Sequence, residues 1–258
     1  MTSSSTGHEQ RPSRRDFNLQ LYEDIAPGYY DQVLERGRGI QWFWHFERYA
    51  AVAANLPSDG MAILDLGCGP GTFLGNYAGR FDTALGVDLA RAQIDYAKAK
   101  YGTERVRFEA GNAMRYVRER QFDAVVSIEV IEHLPVEETQ PFLQSVFQLL
   151  SPGGTLILAT PNYSSLWPVI EWFVSKAGPV DYLEQHINRF TIERLAQELA
   201  AAGFRVQHRR TIFLISPFFA FISSSLAKWV YSLEQRFLPW LGSEIVISAK
   251  RRSEAESS

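Results

Sequence analysis

The residues of this chain that could do chemistry gather around one apolar run. Ile63-Leu-Asp-Leu-Gly-Cys-Gly-Pro-Gly-Thr-Phe73 places Gly67, Gly69 and Gly71 just after Asp65. A strand that ends in glycines and opens a helix is the geometry of a nucleotide-type site at the carboxyl edge of a sheet. A side chain at any of the three glycines would block close approach of a ligand to the backbone. The spacing discriminates between ligands, because a dinucleotide fingerprint wants a third glycine at position 72, where this chain has Thr. Asp65 would repel a pyrophosphate and welcome a cationic amino-acid moiety. Asp88 closes the second apolar run, where a carboxylate can accept two hydrogen bonds from ribose hydroxyls. Further along, Glu129-Val-Ile-Glu-His133 follows the fourth run. Histidine titrates near neutrality, so His133 suits a general base. The competing reading has Glu132 and His133 hold a turn before Pro135.

Such groups need a sheet to hold them, and the sequence pattern supplies one. Residues 61–66, 83–89, 106–109, 122–130 and 155–160 are short runs rich in apolar and β-branched residues. Helix-like stretches at 72–81, 90–101 and 142–150 separate them, which predicts βαβ units and a parallel sheet. A helix is predicted over 191–202, with Thr191 as N-cap and Gly203 just past its end. Residues 204–214 and 244–249 read as two closing strands. Upstream, Phe43, Phe46, Ala50, Ala53 and Leu56 recur at helical spacing, and a turn over 57–60 follows. The stretch 16–30 reads as partly helical and broken at Pro27-Gly28. Trp42, Trp44 and His45 are read as core.

Composition narrows the class. The 258 residues are 46% hydrophobic and 21% charged, globular values that exclude collagen-like and coiled-coil chains. A net charge of −3 argues against a dedicated nucleic-acid binder. The single cysteine, Cys68, excludes an internal disulfide and a multi-cysteine zinc site, and no metal is expected. Residues 1–15 are polar and lack the apolar stretch of a signal peptide. They and 253–258 are predicted to be disordered tails, and the expected compartment is the cytoplasm.

Four motifs in order resemble those of class I S-adenosylmethionine-dependent methyltransferases. They are Asp65-Leu-Gly-Cys-Gly-Pro-Gly71, Gly86-Val-Asp88, Gly111-Asn-Ala113 and Phe122-Asp-Ala-Val-Val-Ser-Ile-Glu-Val130, with Ser151-Pro-Gly-Gly-Thr-Leu156 as a turn into the fifth strand. The resemblance runs from about Tyr29 to Lys250. It implies an α/β, Rossmann-like domain over 61–252, with a seven-stranded, mostly parallel sheet, an antiparallel last strand and helices on both faces. A helical lid over 16–60 would precede it. The implied cofactor is S-adenosyl-L-methionine. Gly67, Gly69 and Gly71 would line its methionine and ribose parts, Asp65 would sit near the amino group, and Asp88 would bind the ribose hydroxyls, with Leu89 beside it. Asn112 and Ala113 would border the adenine, although the family often has Asp where Asn112 stands. Glu129 would face the cofactor.

The resemblance also implies a substrate side. Glu184-Gln-His-Ile-Asn-Arg-Phe-Thr191 looks like the lead-in to the last helix in the branch that includes the ubiquinone-pathway O-methyltransferases, so His186 and Arg189 would overlook the acceptor. Ala26-Pro-Gly-Tyr-Tyr-Asp31 looks like a lid segment whose Tyr30 covers the methyl region. The catalytic candidates are therefore His133, His186 and Tyr30. Each has a structural alternative: a turn for His133, a helix cap or backbone carbonyl for His186, and packing on the Trp42/Trp44 helix for Tyr30.

One stretch stands apart. Residues 211–227 run 17 positions without a charge, short of the ~20 apolar residues a spanning helix needs. They open an apolar insertion over about 211–242, flanked by Arg209, Arg210, Lys228 and Arg236. Apolar surface edged by cations is how an interfacial segment engages anionic head groups, so 211–240 is expected to cap an apolar substrate and contact a membrane peripherally. A buried hairpin connection or a dimer contact is the alternative. The reading predicts methyl transfer to a small-molecule or lipid-like acceptor at oxygen, with no nucleic acid as partner. Its rivals are a nicotinamide-dependent oxidoreductase, disfavoured by Thr72 and the closing strand pair, and a cofactor-binding but non-catalytic partner protein. An RNA methyltransferase using Arg189, Arg194, Arg205, Arg209 and Arg210 lacks a nucleic-acid module.

Overall fold

A computed structural model of the chain describes residues 26–57, 59–118, 121–177 and 182–252. The two predicted tails and residues 16–25 of the lid lie outside the described residues.

Seven strands form one sheet: β1 (Met61–Leu66), β2 (Phe81–Asp88), β3 (Val106–Ala110), β4 (Phe122–Ile128), β5 (Leu150–Pro161), β6 (Phe204–Ile212) and β7 (Glu244–Arg251). Their order is β3-β2-β1-β4-β5-β7-β6. β1 to β5 pair in parallel, and β7 runs antiparallel between β5 and β6. This is the mostly parallel sheet with an antiparallel last strand that the motifs imply. The strand order reverses at β1, and open α/β sheets hold their ligands at such a point, outside the carboxyl ends of the strands.

Both faces of β1 are covered, which is why Met-Ala-Ile-Leu-Asp-Leu is almost continuously apolar instead of alternating. Ile63 faces one apolar layer, with Phe43 and Val52 of α2 (Ile40–Ala53), Phe73 of α3 (Thr72–Asn76) and Ile94 of α4 (Arg91–Tyr101). Leu64 and Leu66 face the other, with Leu143 and Val146 of α5 (Thr139–Leu149) and Leu195 and Leu199 of α8 (Ile192–Ala201). A short α1 (Tyr29–Glu35) precedes α2, and α6 (Trp167–Ala177) and α7 (Tyr182–Gln185) follow β5.

Several boundaries depart from the sequence reading. α3 stops at Asn76, short of the expected 81, and a 3₁₀ turn over Ala78–Arg80 finishes the connection. Thr191 caps α8 as predicted: its Oγ1 accepts from the Arg194 N–H at 3.2 Å. The uncharged run 211–227 is not one element. It splits into the end of β6, a short α9 (Ser216–Phe219) with Pro217 in its first turn, and α10 (Ser224–Phe237), whose N-terminus Ser223 caps. α6 has no counterpart in the sequence reading, which assigned no element between the fifth strand and residue 184. Among the described residues no helix is long and apolar enough to cross a membrane.

Candidate active site

The loop after β1 is held in a shape that glycine alone adopts comfortably. Gly67, Gly69 and Gly71 have φ of 82°, 51° and 75°. The Gly67 and Cys68 N–H groups donate to the Val87 carbonyl at 2.8 and 3.1 Å, tying the loop to the end of β2. The three glycines are not equivalent. A Cβ at Gly67 would lie 2.3 Å from a methyl of Val130, and one at Gly71 would lie 2.6 Å from the Phe108 ring. A Cβ at Gly69 would meet nothing within 4 Å. Gly67 and Gly71 therefore serve packing, and Gly69 keeps the backbone approachable from the open side. We expect Gly67→Ala to cost about 2–5 kcal/mol, from left-handed strain plus overpacking against Val130. Gly69→Ala carries only the strain, about 1–2 kcal/mol. Urea unfolding checks the order, and equal losses at the two positions would refute it.

Two aspartates face this loop. Asp88 accepts from Gly69 N through Oδ2 and from Ala90 N through Oδ1, both at 2.9 Å. Its carboxylate is thus aimed and immobilised at the neck of the loop. Burial raises its pKa, and those N–H groups work against the rise. Asp65 is 2% exposed, and its Oδ1 has no hydrogen-bond partner. Burial first, and the nearby Asp88 second, push Asp65 up to about 8. Leu89 stands next to Asp88 with half of its surface exposed. Asn112 uses its side-chain oxygen to accept from Met114 N at 2.9 Å, capping the turn that Ala113 begins. That leaves one lone pair of the oxygen, and the amide N–H pair, for any ligand.

Glu129 follows β4 in a left-handed conformation, φ 56°. Its carboxylate lies 3.2 Å from the Arg48 guanidinium. Arg48 is buried, and its Nε donates to Glu244 at 2.6 Å while the Trp44 indole N–H donates to the same carboxylate at 3.0 Å. Arg48 and Glu244 were missed in the sequence; the available signal was a charge at an otherwise apolar position in each element. Trp44 packs against the core as read, and its indole N–H joins Arg48 in linking α2 to β7.

A second cluster sits at the ends of β4 and β5. Glu132 is buried and accepts from Thr160 Oγ1 at 2.9 Å. His133 Nδ1 is 3.2 Å from the Gln185 carbonyl, so Nδ1 carries the proton. Burial, then His186, lowers the His133 pKa to about 3, which keeps the ring neutral. His186 Nδ1 lies 2.6 Å from Glu171 Oε1, and Tyr163 donates its hydroxyl to that same oxygen at 2.6 Å. The two imidazoles are 5.1 Å apart, and Glu132, His133 and His186 bring one ligand-type atom each within 4.8 Å of one another. The turn expected at His133 is present as a 3₁₀ turn over Ile131–His133, with the ring bonded to the Gln185 carbonyl, while His186 takes a carboxylate that was not among its expected partners. Arg189 lies over the Tyr163 ring. Glu171 and Tyr163 come from the stretch around α6, to which the sequence reading assigned no element.

Tyr30 packs edge-on against His45, 4.9 Å between centroids, and so lies on the helix of Trp42 and Trp44, as its structural alternative has it. Its neighbour Asp31 accepts from Tyr101 at 2.8 Å and pairs with Lys100 at 3.2 Å, fastening α1 to α4.

Comparisons with known proteins show the family and the fold. The family described as Methyltransferase domain matches residues 43–209. A demethylmenaquinone methyltransferase of Deinococcus radiodurans is 31% identical over 220 residues, covering 76% of this chain and 88% of that enzyme. A ubiquinone biosynthesis O-methyltransferase of Leptothrix cholodnii is 33% identical over 109 residues, 40% of this chain and less than half of that enzyme, 46%. Among solved structures, a geranyl diphosphate methyltransferase in complex with GPP and sinefungin superimposes with a TM-score of 0.67 at 14% identity, over 93% of this chain and 100% of that one.

Proposed function

From the premise that this chain belongs to the S-adenosylmethionine-dependent methyltransferases, we propose that it methylates an oxygen of a quinone-type, lipid-like acceptor. The relatives named for menaquinone and ubiquinone support the acceptor class. The observation that carries the choice of atom is the buried His186–Glu171 pair. A hydroxyl acceptor must lose a proton, and a histidine oriented by a carboxylate is the arrangement that takes one.

The residues present fit the cofactor. Asp65 offers a buried carboxylate oxygen without a partner, suited to a cationic amino group, and Gly69 leaves the loop backbone open beside it. Asp88, already fixed by two N–H groups, keeps lone pairs for the ribose hydroxyls. Leu89, Asn112 and Ala113 would border the adenine, and Gly67 and Gly71 would shape the loop around the rest. When bound, the cofactor supplies an electrophilic sulfonium methyl for in-line displacement. This chain aligns the reactants, which accounts for much of the rate in such reactions. His186, with Nδ1 committed to Glu171, would accept the acceptor's proton at Nε2. His133 would support it as the neutral neighbour, Glu129 would border the transfer site, and Tyr30 would cover it from the lid.

Mass-spectrometric assay of the purified chain with S-adenosylmethionine and a demethylated polyprenyl hydroquinone tests the proposal, with NMR locating the new methyl. An O-methyl product is expected. Transfer confined to RNA or peptide acceptors, or a carbon-methylated product, would overturn it.

Asp65 gives a second test. Its raised pKa favours the folded, ligand-free protein fully below the unfolded value of 3.8, and that contribution is lost as pH climbs through about 8. Near neutral pH the ligand-free carboxyl holds its proton, and arrival of a cationic amino group drives it off. Calorimetric titration with S-adenosylhomocysteine in buffers of different ionisation enthalpy should therefore show proton release, absent in Asp65→Asn. A heat independent of buffer would exclude this role.

A further inference from the structure

We propose that the protein docks on an anionic lipid bilayer through two aromatic flanks at the mouth of its site. β5 and β6 both run antiparallel to β7, so their carboxyl ends share the edge that carries the loops after β1 and β4. α6 follows β5, and the segment 213–243 follows β6. Trp44 supports both, its ring 5.8 Å from Trp167 and 4.7 Å from Phe213. The two flanks therefore neighbour each other at one edge.

Their outward faces are aromatic. Phe221 is 83% exposed, Trp229 60% and Trp240 61%, and on α6 Trp172 and Phe173 are 49% and 60% exposed. Trp172 and Phe173 touch, 4.9 Å between ring centroids, and large exposed apolar side chains grouped at one edge mark a contact surface. Trp and Phe placed this way suit the boundary between head groups and acyl chains.

The charges select the occupant. α6 contains one acid, Glu171, which is buried against His186 and Tyr163. Residues 213–243 also contain one acid, Glu234, which is buried and accepts from the backbone N–H groups of Leu214, Ile215 and Ser216 and from Ser216 Oγ. Every charge these two segments expose is thus positive: Lys176, Lys228 and Arg236. Lys228 sits over the rings of Trp42 and Phe46, and Arg236 over that of Phe237. A second copy of the chain seated across a two-fold axis would set these cations against one another, whereas an anionic head-group layer complements them. The sequence reading placed such contact at 211–240 alone; α6 adds a second anchor. A bilayer at this edge would deliver a lipid-tailed acceptor directly to the site. That consequence rests on the acceptor class proposed above, but docking itself is scored without donor or acceptor, so either idea can fail alone.

Flotation of the full-length chain with vesicles is the experiment, comparing phosphatidylcholine alone with phosphatidylcholine containing phosphatidylglycerol. Binding to the anionic vesicles is expected to exceed binding to the neutral ones by at least tenfold and to weaken as salt is raised. Trp229→Ser with Trp240→Ser, and separately Lys228→Glu with Arg236→Glu, should each reduce it tenfold or more. These positions are exposed, so thermal unfolding should stay unchanged and confirm intact folding. Absence of flotation, equal binding to both vesicle types, or indifference to both double variants would overturn the proposal. So would a dimer, seen by sedimentation, that the same variants split while vesicles bind nothing.

Discussion

Asp88→Ala should weaken binding of S-adenosylhomocysteine by about 100-fold or more, beyond the range of ordinary calorimetric titration. The proposed role gives Asp88 two charge-assisted hydrogen bonds to the ribose, each worth ~1.5–3 kcal/mol, and every ~1.4 kcal/mol is tenfold in affinity. The carboxylate has a second duty, since it already holds the N–H groups of Gly69 and Ala90 at 2.9 Å. Removing it frees both donors and loosens the loop, so alanine alone would mix a folding defect with lost ligand contacts. Asp88→Asn separates the two. The amide keeps one oxygen for one backbone donor and puts an N–H pair against the other, and it loses the charge that strengthens the ribose contacts. We expect its binding to fall between wild type and alanine while thermal unfolding remains cooperative. If Asp88→Ala folds normally and binds within threefold of wild type, Asp88 does not hold the cofactor.

Backbone demands made this part of the site legible. Loop residues that need positive φ advertise themselves as glycines, and an acid at a strand end is visible against an apolar run. The strands followed from the alternation of short apolar runs and helical stretches, whereas their order in the sheet, β3-β2-β1-β4-β5-β7-β6, came only with the structure. Other parts of the site are assembled by the fold from positions that carry no mutual signal. Arg48 meets Glu244 from 196 residues away, and neither residue suggests the other in sequence. Glu171 reaches His186 over only 15 residues, but it sits on a helix that the sequence reading did not assign, so nothing joined it to the histidine. Glu129 is a mixed case: its position was readable, but its left-handed backbone and its pairing with Arg48 were not. His133 and His186 were found as candidates, and only the structure distributes the hydrogen-bond partners between them.

That distribution makes the sharpest kinetic prediction. His186→Ala should lower kcat toward the hydroquinone acceptor by about 100- to 10,000-fold, the range that a lost general base commands, and leave the dissociation constant of the donor unchanged. Glu171→Gln should cost less, because the amide oxygen can still receive the Nδ1 proton of His186, although it no longer stabilises the charged ring. Glu171 also holds Tyr163, so the stability of each variant has to be measured alongside. The double variant is decisive. Groups that act as a unit lose little more when both are removed than when one is, so His186→Ala with Glu171→Gln should be about as slow as His186→Ala alone. Additive losses would mean that Glu171 contributes through packing. His133→Ala is the comparison: a neutral ring bonded to the Gln185 carbonyl contributes position, so its loss should act more on KM than on kcat. Should His133→Ala abolish kcat while His186→Ala spares it, the base is His133, and the His186–Glu171 pair is only a brace between α6 and the lead-in to α8.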